Sequence, residues 1–193
     1  MMSPRELALG MVGAWRLLRN DASGVHYFEG SLDAARRSFW VMLLLVPVDA
    51  VQSMMHLDIL GVERAGTREL MLLGLAYLIG WLYFPVIVLR VATATGRLRE
   101  FPGWLAAFNY AQILVYGMSV GAIALASILP NAVRPLVGLA MLVLFALLHF
   151  RLLRHMIGFA PPQAGMLVFA NISLDIALGL TVPWLLLHGT QAA

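Results

Sequence analysis

Two aspartates stand inside long apolar runs of this 193-residue chain. Asp49 lies near the middle of the run from about Ser38 to Leu57, and Asp175 near the middle of the run from about Ala164 to Leu187. A carboxylate is costly in hydrocarbon, so one placed there marks a functional site by default. Each has a polar neighbour on its own helical face: Gln52 three residues after Asp49, and Asn171 four residues before Asp175. A third run adds Asn109 and Gln112, again on one face. Together these six residues form a candidate polar site within the membrane. Two kinds of chemistry fit it. Asp49 and Asp175 face a polar cavity and bind a proton, a cation or a cationic solute, or both acids hydrogen-bond neighbouring helices and hold the bundle together.

Other reactive groups give less. His26, His56, His149, His155 and His188 are scattered through a linker and the ends of apolar runs, and none has a second ligand three or four residues away on its own face. No metal or other cofactor is expected. The chain has no cysteine, which excludes thiolate nucleophiles and disulfides. HExxH, GxSxG, P-loop and GxGxxG motifs are all missing, so the sequence reads as non-enzymatic.

The elements that must position the polar residues follow from composition. Hydrophobic residues make up 61% of the chain and charged ones 12%, against about 45–50% and about 25% in soluble domains. A helix needs about 20 apolar residues to cross the roughly 30 Å hydrocarbon core. Five runs qualify: about 38–57, 70–92, 105–129, 132–150 and 164–187. The expected fold is therefore all-α, a five-span helical bundle over residues 32–193. Pro130-Asn131 makes a very tight turn between the third and fourth runs. A re-entrant hairpin there is the competing reading.

Residues 1–31 read as a cytoplasmic interfacial helix and linker. Ser3-Pro4-Arg5-Glu6 has the form of a capping box. Leu7, Met11, Val12, Trp15 and Leu18 share one stripe, with Arg16 and Arg19 beside it. Residues 4–19 are expected to lie in the membrane interface with Trp15 at headgroup depth. The alternative is packing against the bundle's own loops. Ser31 is placed to cap a helix that runs through Arg36 and Arg37 into the first span.

All 13 basic residues are arginine, and they are unevenly spread. With the N-terminus inside, ten fall in cytoplasmic segments; only Arg64, Arg68 and Arg134 fall outside. The excess of positive charge on one side predicts a cytoplasmic N-terminus and a periplasmic C-terminus in a bacterial inner membrane. The basic balance is then a topology signal, and no nucleic-acid partner is expected. Gly117-Met118-Ser119-Val120-Gly121, extended by Ala124, is a GxxxG element, and Gly74 and Gly80 are further small contacts. Such faces let helices approach closely, here expected within the monomer, with dimerisation as the alternative. Pro47, Pro85 and Pro183 interrupt three spans and free the carbonyls of Leu43, Trp81 and Gly179.

Gly74 to Trp81, Phe84-Pro85, Phe101 to Trp104, Phe108 to Ala111 and the entry segment Phe28-Glu29-Gly30 with Arg36 to Trp40 resemble uncharacterised five-span inner-membrane proteins of alphaproteobacteria, which are reminiscent of the Yip superfamily. The resemblance implies five spans and a cytoplasmic N-terminus, and implies no established activity. The leading expectation is an accessory, scaffold or membrane-organising subunit that acts through helix contacts. Its partners would be the lipid bilayer and other membrane proteins or a second copy. The alternative is a small transporter or channel built on Asp49 and Asp175.

Overall fold

The computed structural model describes residues 2–59 and 66–188. Arg64 and the tail from residue 189, both expected on the outer side, lie outside the described residues, as do the side chains of His56 and His188.

Among the described residues the fold is an all-α bundle of seven α-helices: α1 (Pro4–Leu18), α2 (Leu32–Ser38), α3 (Trp40–Ile59), α4 (Thr67–Ala94), α5 (Phe101–Ile128), α6 (Arg134–Leu152) and α7 (Pro161–His188). A 3₁₀ turn over Ala22–Tyr27 follows α1, and a π-helical turn over Leu153–Ile157 extends α6. Among the described residues, five helices are long and apolar enough to cross a membrane. Only 6–22% of each apolar window is buried inside the bundle, and the outward surface carries Leu43, Val51, Met71, Leu75, Val86, Leu136 and Phe169. So much exposed apolar area is stable only against lipid.

Around Pro130 the chain turns fully. α5 ends at Ile128 and α6 starts at Arg134 with Pro135 in its first turn. With 19 residues, α6 is about 28 Å long and runs the depth of a bilayer core before its π turn. The fourth run is thus a helix of its own, packed between α5 and α7.

The dense core sits at one end of the bundle. Phe84, Trp104, Phe108, Leu148, His149, Leu152 and Phe159 are buried there, with Ala14, Leu17 and Leu18 of α1 driven in among them. Phe84, Phe108 and His149 meet ring to ring at 5.6–5.8 Å between centroids. The helix α1 docks on α5 and α6, so the alternative of packing against the bundle is met. Its buried face is Gly10, Gly13, Ala14, Leu17 and Leu18. This face is distinct from the expected stripe, of which only Leu18 is buried while Val12 and Trp15 are exposed. The small residues permit the docking. A Cβ at Gly10 would sit 2.5 Å from the Tyr110 ring, one at Gly13 2.7 Å from Tyr27, and one at Gly24 2.6 Å from the Gly13 carbonyl oxygen. The opposite face, Leu9, Val12 and Trp15 with Arg5 and Arg19, stays exposed.

Hydrogen bonds secure the same end. Arg151 donates to the Leu18 carbonyl at the C-terminus of α1. The Ser3 hydroxyl caps α1 by accepting from the Glu6 amide at 3.1 Å. Glu6 does not reach back as a capping box requires; its carboxylate takes Arg37 at 3.0 Å, tying α1 to α2. Ser31 caps α2 through the Ala34 amide at 3.1 Å. Phe39 interrupts the helix between α2 and α3.

Candidate functional site

Away from the dense end, the five long helices diverge and leave a cavity of about 440 Å³. Asp49, Gln52, Gln112, Asn171 and Asp175 all line it. The matched mid-span position of the two acids thus brings them to one space. Asp49 is half-buried on α3 and Asp175 is the more open, on α7. Among the described residues neither forms an ion pair, and no arginine lines the cavity.

Each carboxylate is held by a tyrosine from a neighbouring helix. The Tyr116 hydroxyl of α5 lies 2.8 Å from Asp49 Oδ1. The Tyr83 hydroxyl of α4 lies 2.6 Å from Asp175 Oδ1 and 2.7 Å from Asn171 Oδ1. Gln52 is fixed by its amide donating to the Ser119 hydroxyl at 3.3 Å. Asn171 is buried, and the Tyr83 hydroxyl also lies 3.1 Å from its carbonyl oxygen. A carboxylate offers about four acceptor positions, so these contacts leave part of each open to the cavity.

The rest of the wall is largely apolar and includes four aromatic rings, Tyr77, Trp81, Phe108 and Phe145. Tyr77 and Trp81 meet edge to face at 6.1 Å, and the Tyr77 hydroxyl donates to the Met42 carbonyl of α3. His149 of α6 also lines the cavity and is 1% exposed. Its Nδ1 lies 2.9 Å from the Phe145 carbonyl of its own helix, and its buried Nε2 has no hydrogen-bond partner among the described residues. Two helix prolines contribute as well. Pro85 and Pro183 free the carbonyls of Trp81 and Gly179, both lining residues.

Several expected residues serve elsewhere. Asn109 shares a helical face with Gln112, yet it is fully buried outside the cavity, where its amide donates to the Ser38 hydroxyl at 2.8 Å. It is a polar tie between α5 and α2. Gly117, Gly121 and Gly74 do not mediate packing within the chain, since a Cβ at each would meet nothing within 4 Å. Ala124 is exposed beside the first two, on the part of α5 beyond the docking of α1. Gly80 meets nothing either and lines the cavity. The helices have splayed apart at that depth, so the small faces have no partner helix there. Of the expected interface residues, Trp15, Arg19 and Arg36 are exposed. Arg16 donates to Ser23 at 2.8 Å and lies over the Tyr27 ring, and Arg37 pairs with Glu6 and Glu29.

Tyr83, Tyr116 and His149 complete the site and escape a reading by residue type. A tyrosine in a span counts as apolar, and His149 stands near a run's end, where an interfacial place is the ordinary expectation. The one signal was spacing: Tyr116 lies four residues after Gln112 and three before Ser119, on one face. Among the described residues no three His, Asp or Glu side chains come together to hold a metal ion. The chain matches no family model, no curated protein and no solved structure.

Proposed function

We propose that this chain is a small multi-span transporter or channel for a proton, a cation or a small cationic solute. The observation that carries the reading is the shared cavity: Asp49 and Asp175 line one space of about 440 Å³ with no arginine on its wall. Two carboxylates in a low-dielectric space are neutralised either by taking up protons or by a positive charge that enters to balance them. Their tyrosine partners orient the carboxylates and contribute no charge. Intramembrane acids that line a cavity are the usual markers of ion and solute pathways.

The ten-to-three arginine asymmetry supports the finer parts of this reading, a bacterial inner membrane with a cytoplasmic N-terminus. The likeness to Yip-type five-span proteins rests on the sequence segments alone and is carried with it. A second reading, an accessory or scaffold subunit acting through helix contacts, is favoured by the open Gly117/Gly121/Ala124 face, which has no partner within the chain.

The test is flux. The protein in proteoliposomes is assayed for protons, alkali cations and small organic cations, beside Asp49→Asn and Asp175→Asn. A cation flux reduced at least about tenfold in both variants is the expected result. Unchanged flux of every solute in correctly assembled variants would sink the reading.

A further inference from the structure

Resting on the reading of the cavity as a cation site, we infer that its ligand is a protonated amine bearing at least one N–H and an apolar body. The geometry supplies three parts of such a site. The carboxylates of Asp49 and Asp175 provide the charge. The Tyr77, Trp81, Phe108 and Phe145 rings provide an aromatic wall on which an organic cation is favoured.

His149 supplies the third part, and it decides between classes of cation. Its Nδ1 faces the Phe145 carbonyl oxygen at 2.9 Å. A carbonyl accepts only, so the ring proton lies on Nδ1, and Nε2 of the neutral imidazole is left as an acceptor. Nε2 is buried and without a partner. A buried polar atom left unpaired costs free energy that a ligand donor recovers. His149 lines the cavity, but Nε2 itself is closed off from it; a shift of the ring brings Nε2 to a ligand beside the carboxylate oxygens, and a cation that donates N–H bonds draws on both.

Other cations use less of this. A quaternary ammonium has the charge and the affinity for rings but no hydrogen for Nε2. A hard metal ion takes oxygen ligands, which the carboxylates and amides of the lining supply, and it leaves the rings and Nε2 unused. A bare proton uses neither the rings nor the space. The volume of about 440 Å³ falls within the roughly 300–1,000 Å³ of small-molecule pockets.

The experiment is equilibrium binding to the intact protein in lipid nanodiscs, by calorimetry, with three probes of one shape. They are phenethylammonium, its quaternary trimethyl analogue and the neutral phenethyl alcohol. Phenethylammonium is expected to bind at least about tenfold more tightly than either of the others, a charge-assisted hydrogen bond being roughly twice as strong as a neutral one. Asp175→Asn should weaken it about tenfold or more. His149→Phe should bring the primary and quaternary probes to within about threefold of each other. The comparison among probes on the unmodified protein stands even if His149→Phe folds poorly. Equal binding of the primary and quaternary probes overturns the inference. Failure of all three, with proton or sodium flux still dependent on Asp49 and Asp175, overturns the inference and leaves the cation site standing. Failure of all three, with no flux dependent on either aspartate, overturns both.

Discussion

The structure assigns opposite signs to two glycine-to-alanine changes that look alike in the sequence. At Gly24 an added Cβ would lie 2.6 Å from the Gly13 carbonyl oxygen and 2.8 Å from Leu17 Cγ, where ordinary contact starts at 3.4 Å. The nearer atom is backbone of α1, so relief means pushing the 3₁₀ turn off that helix. Overpacking of this kind costs about 1–3 kcal/mol. Alanine recovers at most about 1 kcal/mol of backbone entropy, and the net change is destabilising. At Gly117 the same methyl meets nothing within 4 Å, while alanine is favoured over glycine in a helix by about 0.8–1.0 kcal/mol. Gly117→Ala should therefore leave the monomer unchanged or slightly more stable. Thermal unfolding in a fixed detergent, paired with limited proteolysis between Asn20 and Gly30, reads both effects. Gly24→Ala should lower the midpoint and speed cleavage of the linker, and Gly117→Ala should do neither. Equal loss of stability in the two variants would refute the assignment of close packing to α1.

Three more outcomes follow. Tyr83→Phe removes the hydroxyl shared by Asp175 and Asn171 and should cost about 1–2 kcal/mol of stability, near the upper end for interhelical hydrogen bonds in membranes, measured by unfolding in mixed micelles. Asn109→Ala should cost a similar 1–2 kcal/mol, roughly, through its lost Ser38 bond, yet leave cation flux untouched, because Asn109 lies outside the cavity. In the 3₁₀ turn, the Ser23 hydroxyl and amide, and then Arg16, hold the Asp21 carboxyl below its usual pKa. The folded state thus favours the ionised form, so this contribution is present above the ordinary aspartate value and is lost as pH falls through the folded one. An NMR titration of Asp21 should give a value below that of an Asp in an unstructured peptide, and Ser23→Ala should return it towards normal.

The sequence carried the bundle plainly and the site in part. Five apolar runs of spanning length could be read directly, since lipid solvation demands them, and the helices observed follow them closely. Asp49 and Asp175 stood out because charge is rare in such runs. Pairwise helix contacts were harder to see. Asn109 and Gln112 share a face, yet a turn of helix meets different neighbours on its two flanks. One residue ties α5 to α2 and the other lines the cavity. GxxxG spacing pointed to Gly117 and Gly121, but close approach depends on where a second helix runs. The helix that runs close is α1, over Gly10 and Gly13, whose charged flanks suited an interfacial helix. Tyr83 and His149 were invisible, and Tyr116 was marked by spacing alone, for a related reason: a hydroxyl or imidazole in a span gains a role only when a partner on another helix is known.

The central claim is that Asp49 and Asp175 open onto one water-accessible space inside the membrane. The chain has no cysteine, so single cysteines can be introduced without altering its background. Ser53, Ala76 and Gly179 line the cavity on three helices, while Leu75, Val86 and Phe169 point outward. A water-soluble, membrane-impermeant thiol reagent applied to the protein in lipid should label the first three positions and spare the second three, and Asp49→Asn should leave the pattern in place. Labelling of the outward set with protection of the lining set would contradict the account.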